Sequence, residues 1–186
     1  MIDFALQMAR GLAKAHQHGI VHRDIKPANV MVTSEGVVKI IDFGLSKLSG
    51  TKSLTKSGTT LGTPAYMSPE QISQVEVDHR TDIWSLGVVM YEMATGQLPF
   101  REEHELALVY AIVNEKPAPI IPTGAGRPDL PIELERIVDK AMQKDRRKRY
   151  QRMEELIADL RQLKGEPTPL HELETKKEKN SQRIDV

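Results

Sequence analysis

In the stretch IVHRDIKPANVMV, Ile20 to Val32, a carboxylate, an ammonium and an amide share one short loop: Asp24, Lys26 and Asn29. A second carboxylate, Asp42, follows in IDFG after a β-branched run. Transfer of a phosphoryl group leaves little covalent work to a protein and asks for in-line positioning, metal-held phosphates and a carboxylate near the attacking hydroxyl. These four residues meet that demand. Asp24 can orient a hydroxyl and accept its proton, and Lys26 can reach a transferring phosphate as a point charge. Asn29 and Asp42 carry the hard oxygen atoms that Mg²⁺ prefers. Gly44 supplies backbone freedom for a switching loop. Asp and Asn also suit turns whose backbone they cap, so these residues alone leave a purely structural reading open.

Such a loop needs elements to hold it. Ile2, Leu6, Ala9, Leu12, Ala13 and His16 fall at helical spacing ahead of it, with Gly19 placed to end the helix. Val30 to Val32 and Val37 to Ile41 are β-branched runs joined by TSEG, which predicts a short hairpin. Ser46 to Ser57 is rich in Ser, Thr, Lys and Gly and reads as a mobile loop. DIWSLGVVMYEMATG is apolar nearly all round from Ile83 to Met93, the pattern of a buried central helix closed by Gly96. KPAPIIPTGAGRPDLP is a Pro-rich connector, and Ile132 to Gln143 and Met153 to Leu163 predict two amphipathic helices. From Lys164 onward core-forming residues give out and a polar tail or linker is expected.

Composition narrows the class. The chain has 186 residues, 39% hydrophobic and 28% charged, with 26 basic residues balancing 26 acidic ones. That balance gives no bulk attraction to nucleic acid or an anionic membrane. There are no cysteines, so disulfides and thiolate metal sites are excluded and a reducing, cytoplasmic setting is expected. The longest apolar run, Leu86 to Tyr91, is far short of the ~20 residues a membrane span needs. His16, His18 and His22 lack carboxylates at ligand spacing, which argues against zinc. The basic run Lys140 to Arg152 is interrupted by Asp145 and reads as a solvated face rather than a nucleic-acid patch.

HRDIKPAN, IDFG, GTPAYMSPE and DIWSLGVVMYEM, in this order and spacing, resemble the large lobe of a eukaryotic-type protein serine/threonine kinase, and the phrasing is most similar to the bacterial branch. The resemblance covers about residues 1 to 163, with 164 to 186 as tail. It implies a mainly α fold, a helical bundle around a buried central helix with a short β-hairpin at the catalytic cleft, part of an α+β family fold. It further implies a signalling enzyme that moves the γ-phosphoryl group of ATP, with Mg²⁺, to Ser/Thr hydroxyls of protein substrates. On that resemblance Asp24 is the catalytic base, Lys26 meets the γ-phosphate, Asn29 and Asp42 hold metal, and Met31 floors the adenine above Val89 and Met93. Arg23 would pair with a phosphate on the activation segment, Asp42 to Glu70, whose candidate acceptors are Thr51, Ser53, Thr55, Ser57, Thr59 and Thr60. Thr63 resembles the threonine that marks Ser/Thr specificity beside the base. Glu70 would pair with Arg149, Asp82 would anchor the catalytic loop, and His22 would pack on Phe43.

Some family features are expected before residue 1: a glycine-rich phosphate loop, a strand lysine of the VAIK type and its partner glutamate. Gly124 to Gly126 lies in the Pro-rich connector and follows no strand, and Lys39 leads into IDFG, so neither substitutes. Ser68 stands where Ala is usual before Pro69-Glu70, and Arg146 where Pro is usual after Asp145. The expectation is a kinase large lobe without its small lobe, inactive by itself and dependent on a small lobe or partner that covers its ATP face. The alternative is a non-catalytic lobe acting as a protein-binding or regulatory module.

Overall fold

The computed structural model describes residues 1–43, 64–120 and 131–166. Gly44, Thr51, Ser53, Thr55, Ser57, Thr59, Thr60 and Thr63, the loop expected over Ser46 to Ser57, and the tail past residue 166 lie outside the described residues.

The described chain is mainly helical, with one small sheet. Helix α1 spans Ile2–Gln17, and Gly19 follows at φ 71°. Strands β1 (Val30–Val32) and β2 (Val38–Ile40) pair antiparallel, Met31 facing Lys39. The turn between them closes on Thr33, which takes the Gly36 N–H on its carbonyl, while Gly36 adopts φ 76°. A two-stranded ribbon is marginal by itself, and α1 braces it. The Gln7 amide donates to the Gly36 carbonyl and accepts from the Val38 N–H at 3.1 and 2.9 Å.

After a single helical turn, α2 (Pro69–Ile72), comes the buried centre of the molecule. Helix α3 (Arg80–Thr95) is buried continuously from Thr81 to Tyr91 and ends at Gly96 in the left-handed region, φ 72°. Helix α5 (Ile132–Ala141) packs on α3, and α6 (Met153–Lys164) packs on α1 and α5. Gly87 allows the α3–α5 approach, because a Cβ there would sit 2.8 Å from Met142 Cγ and 3.0 Å from Ala141 Cβ. Fully buried Trp84 stacks parallel to Phe100, centroids 6.3 Å apart.

Helix α4, Glu105–Asn114, has no counterpart in the sequence-based expectation. Its period is blurred. Leu108, Ala111 and Ile112 face the core while Leu106 and Tyr110 stay 83% and 61% exposed, so apolar residues line both faces. Helix α5 stops at Ala141 rather than Gln143, and α6 runs one residue past Leu163 to a Gly165 cap at φ 73°. Among the described residues no helix is long and apolar enough to cross a membrane.

Candidate active site

Asp82 begins the construction. It lies in the first turn of α3, is fully buried, and takes the His22 N–H on Oδ2 at 2.9 Å and the Arg23 N–H on Oδ1 at 2.8 Å. A loop residue is thereby held by the most deeply packed helix. Arg23 adopts φ 70°, a left-handed conformation that a bulky side chain disfavours and that the surrounding bonds must hold. His16, at the end of α1, completes the anchor with Nε2 2.8 Å from Asp82 Oδ2.

His22 is fully buried and joins two loops. Its Nδ1 accepts the Asp24 N–H at 3.2 Å, so its protonated Nε2 donates to the Ile41 carbonyl at 2.9 Å. Its ring meets Phe43 edge-to-face at 4.7 Å. The Ile41 N–H in turn bonds the Asn29 carbonyl at 3.0 Å. The chain therefore enters Asp42, φ 62°, directly beside the Asn29 turn.

Within the loop, Pro27 opens a 3₁₀ turn, Pro27–Asn29, and sets Asn29 facing back. The Asn29 amide nitrogen donates to the Asp24 carbonyl at 2.7 Å and to Asp24 Oδ2 at 3.0 Å. Both of its hydrogens are used, which leaves the side-chain oxygen as a hard donor atom. Lys26 Nζ lies 2.9 Å from Asp24 Oδ2, and the Asp24 side chain remains 47% exposed. A carboxylate so held can meet an incoming hydroxyl. Tyr66 and Met67 border the same crevice with Asp24 and Lys26. Tyr66 is fixed through its hydroxyl to Glu92 at 2.8 Å and its carbonyl to the Ser85 hydroxyl at 2.8 Å. Burial, and next the Glu92 carboxylate, raises the Tyr66 phenol above its ordinary value, so it stays a donor.

Met31 stands on the hairpin, 56% exposed, and Val32 and Val37 are exposed beside it. Val89 is buried and Met93 half-buried in α3. Arg23 Nε is buried without a hydrogen-bond partner among the described residues. Glu70 and Arg149 form a separate buried cluster: Nη1 and Nη2 meet Oε1 and Oε2 at 2.6 and 2.7 Å. The structure thus gathers His22, Arg23, Asp24, Lys26, Asn29, Phe43 and Asp82, and leads Asp42 to the same place.

Residues 1–160 match the protein kinase domain family. The chain belongs to the protein kinase family. The kinase is 39% identical over 184 residues to serine/threonine-protein kinase PknB of Mycobacterium tuberculosis, covering 97% of this chain and 29% of that protein. It is 39% identical over 166 residues to a probable serine/threonine-protein kinase of Clostridium perfringens, covering 89% and 24%. Against PknB of Mycolicibacterium smegmatis it is 40% identical over 161 residues, 86% and 25%. This chain therefore spans about a quarter of the length of the curated relatives it matches. By family it groups with the eukaryotic-type serine/threonine kinases, in the branch represented by these bacterial proteins.

Three contributors to the kinase's site were missing from the sequence reading. His16 sits four residues after Leu12 on the buried stripe of α1, where a polar side chain needs a partner. Gln71 follows Ser68 at capping-box spacing, a readable signal. Glu92 carries no local signature. Arg146, the departure after Asp145, donates to the Glu76 carbonyl at 2.7 Å and approaches Asp78 at 3.4 Å.

Proposed function

We propose that residues 1–163 form the large lobe of a serine/threonine protein kinase domain, with 164–186 as a polar tail, and that the site transfers the γ-phosphoryl group of ATP to protein hydroxyls in cytoplasmic signalling. The observation that carries this reading is the Asp24 carboxylate, backed by Lys26 and Asn29 and open to solvent on a loop anchored to α3.

Asp24 orients the attacking hydroxyl and takes its proton, a role for a positioned carboxylate within hydrogen-bond reach. Lys26, paired to the same carboxylate, offers its positive charge where the transferring group arrives. Among the described residues no three His, Cys, Asp or Glu side chains converge as metal ligands. Mg²⁺ takes one or two protein oxygens and completes its shell from phosphates and water. The Asn29 side-chain oxygen and the Asp42 carboxylate fit as those ligands. Bound Mg²⁺ would neutralise phosphate charge and hold the phosphates for in-line attack. Met31 offers an apolar surface for the adenine, Thr63 would serve Ser/Thr selection by its resemblance to the family's threonine, and Arg23 Nε, without a partner among the described residues, favours pairing with a phosphorylated residue among Thr51, Ser53, Thr55, Ser57, Thr59 and Thr60.

Residues 1–186 contain no glycine-rich loop or VAIK-type lysine, so this polypeptide is expected to show no transfer by itself and to gain it when joined to the small lobe of a related kinase. In that fusion Asp24→Asn should lower kcat by ~10²- to 10⁴-fold with the fold retained. Near-normal turnover in Asp24→Asn would show that the base lies elsewhere.

A further inference from the structure

Arg23 is held from both sides of its backbone. Its N–H goes to Asp82, and its carbonyl accepts from Gln71 Nε2 at 2.7 Å. The same peptide plane is fixed at its other end, where the Asp24 N–H donates to His22 Nδ1. Gln71 lies on α2, outside the catalytic loop, and its grip is set by two buried hydroxyls.

The directions of those bonds follow from counting hydrogens. Thr81 Oγ1 donates to Gln71 Oε1 at 2.9 Å, which uses its one proton. The Ser68 hydroxyl, 2.7 Å from Thr81 Oγ1, must therefore donate to it, and it accepts the Gln71 N–H at 3.3 Å. Gln71 Oε1 also accepts the Ser68 N–H at 3.0 Å. With two donors on Oε1, the amide has one orientation, and only its NH₂ can face Arg23. Ser68 and Thr81 are fully buried, so neither hydroxyl has water as an alternative. The Ser at position 68, in place of the usual Ala, closes the ring.

We infer that Gln71, oriented by Ser68 and Thr81, is a positioning residue that locks the left-handed Arg23 peptide and so fixes Asp24 for the phosphoryl transfer proposed above. Gln71 does not touch the reacting atoms. It links the segment fastened by Glu70 and Arg149 to the base, so loosening α2 releases the loop. The inference rests on the kinase reading for its catalytic meaning and on geometry alone for the clamp.

Gln71→Glu separates this role from simple helix capping. An ionised Glu keeps an oxygen for the Ser68 N–H and the Thr81 hydroxyl, so the cap survives, but it has no hydrogen for the Arg23 carbonyl. In the 186-residue chain, amide hydrogen exchange at Asp24 should speed up ~tenfold or more, while the Ile72 amide, bonded to the Ser68 carbonyl, stays as protected as in wild type. In the fusion with a small lobe, kcat should fall ~tenfold or more with KM for ATP within about twofold, and the loss should shrink as falling pH restores a proton to the new carboxyl. Unchanged Asp24 exchange would overturn the clamp. Unchanged kcat beside faster exchange would overturn its catalytic role. A wild-type fusion that transfers no phosphate would sink the functional reading and with it that catalytic role, while the exchange arm still decides the clamp.

Discussion

Removing Arg149 should be the most damaging single change in the described chain. Its side chain is fully buried, and all five guanidinium hydrogens are engaged: two on Glu70, and one each on the carbonyls of Gln143, Arg80 and Lys144. Arg149→Met leaves the buried Glu70 carboxylate uncompensated, at ~3–5 kcal/mol, and strips three carbonyls of a donor at roughly 1 kcal/mol each. Against a total stability of about 5–15 kcal/mol for a domain, the variant should be near or past unfolding. Glu70→Gln is the measurable companion. It keeps an acceptor and the volume but loses the charge-assisted bidentate contact, worth ~1.5–3 kcal/mol. Glu70→Leu with Arg149→Met should cost less than the two single changes summed, because no buried charge is then left alone. Urea unfolding of the 186-residue chain, followed by circular dichroism, gives the value for each variant that folds, and a lost folded baseline sets a lower bound for Arg149→Met. A cost below ~1 kcal/mol for Glu70→Gln, or strict additivity in the double variant, would refute the reasoning.

Gly87→Ala should destabilise by ~1–3 kcal/mol in the same assay, since its Cβ would overlap Met142 and Ala141 across α3 and α5; a neutral result would mean that α5 yields freely. Lys144, whose ammonium donates to the Ala111 and Ile112 carbonyls and lies over Phe100, is lowered by burial, and next by Arg149, from 10.5 to about 8. Between those values the unfolded chain binds the extra proton, so wild-type stability relative to Lys144→Met should rise with pH from about 8 to 10.5, by less than the full shift implies because the ammonium is only half buried and solvent screens it; a pH-independent difference would contradict this.

How far the sequence reveals this molecule depends on how local each signal is. The helices α1, α5 and α6 announce themselves by apolar spacing and α3 by its continuous apolar run, and Gly19 and Gly96 mark ends because left-handed backbone is cheap only for glycine. Helix α4 hides because Leu106 and Tyr110 put apolar surface on its solvent side. Asp24, Lys26 and Asn29 fall in one short loop, so their spacing alone suggests that they meet. Glu70 and Arg149 are 79 positions apart; no periodicity relates them, and only the family resemblance pairs them in advance.

The supports of the loop lie deeper still. Asp82 reads as one polar residue in a buried helix, and its two loop contacts come from residues 60 and 59 positions earlier. Helix α3 can perform this duty because it is the least mobile kind of element, packed on all sides, so a carboxylate at its first turn is a fixed point in the fold. The His22 to Asn29 loop, in contrast, has to stay exposed if it is to meet the substrate hydroxyl proposed above, and so cannot bury itself for rigidity. It gains rigidity by bonding its backbone to side chains of other elements, Asp82 from α3 and Gln71 from α2, with His16 from α1 holding the Asp82 carboxylate in turn. A loop of that design carries its candidate reactive groups close together in its own sequence and its rigidity in residues of other elements, which is why spacing alone could suggest Asp24, Lys26 and Asn29 while the bonds that hold them are visible only in the fold.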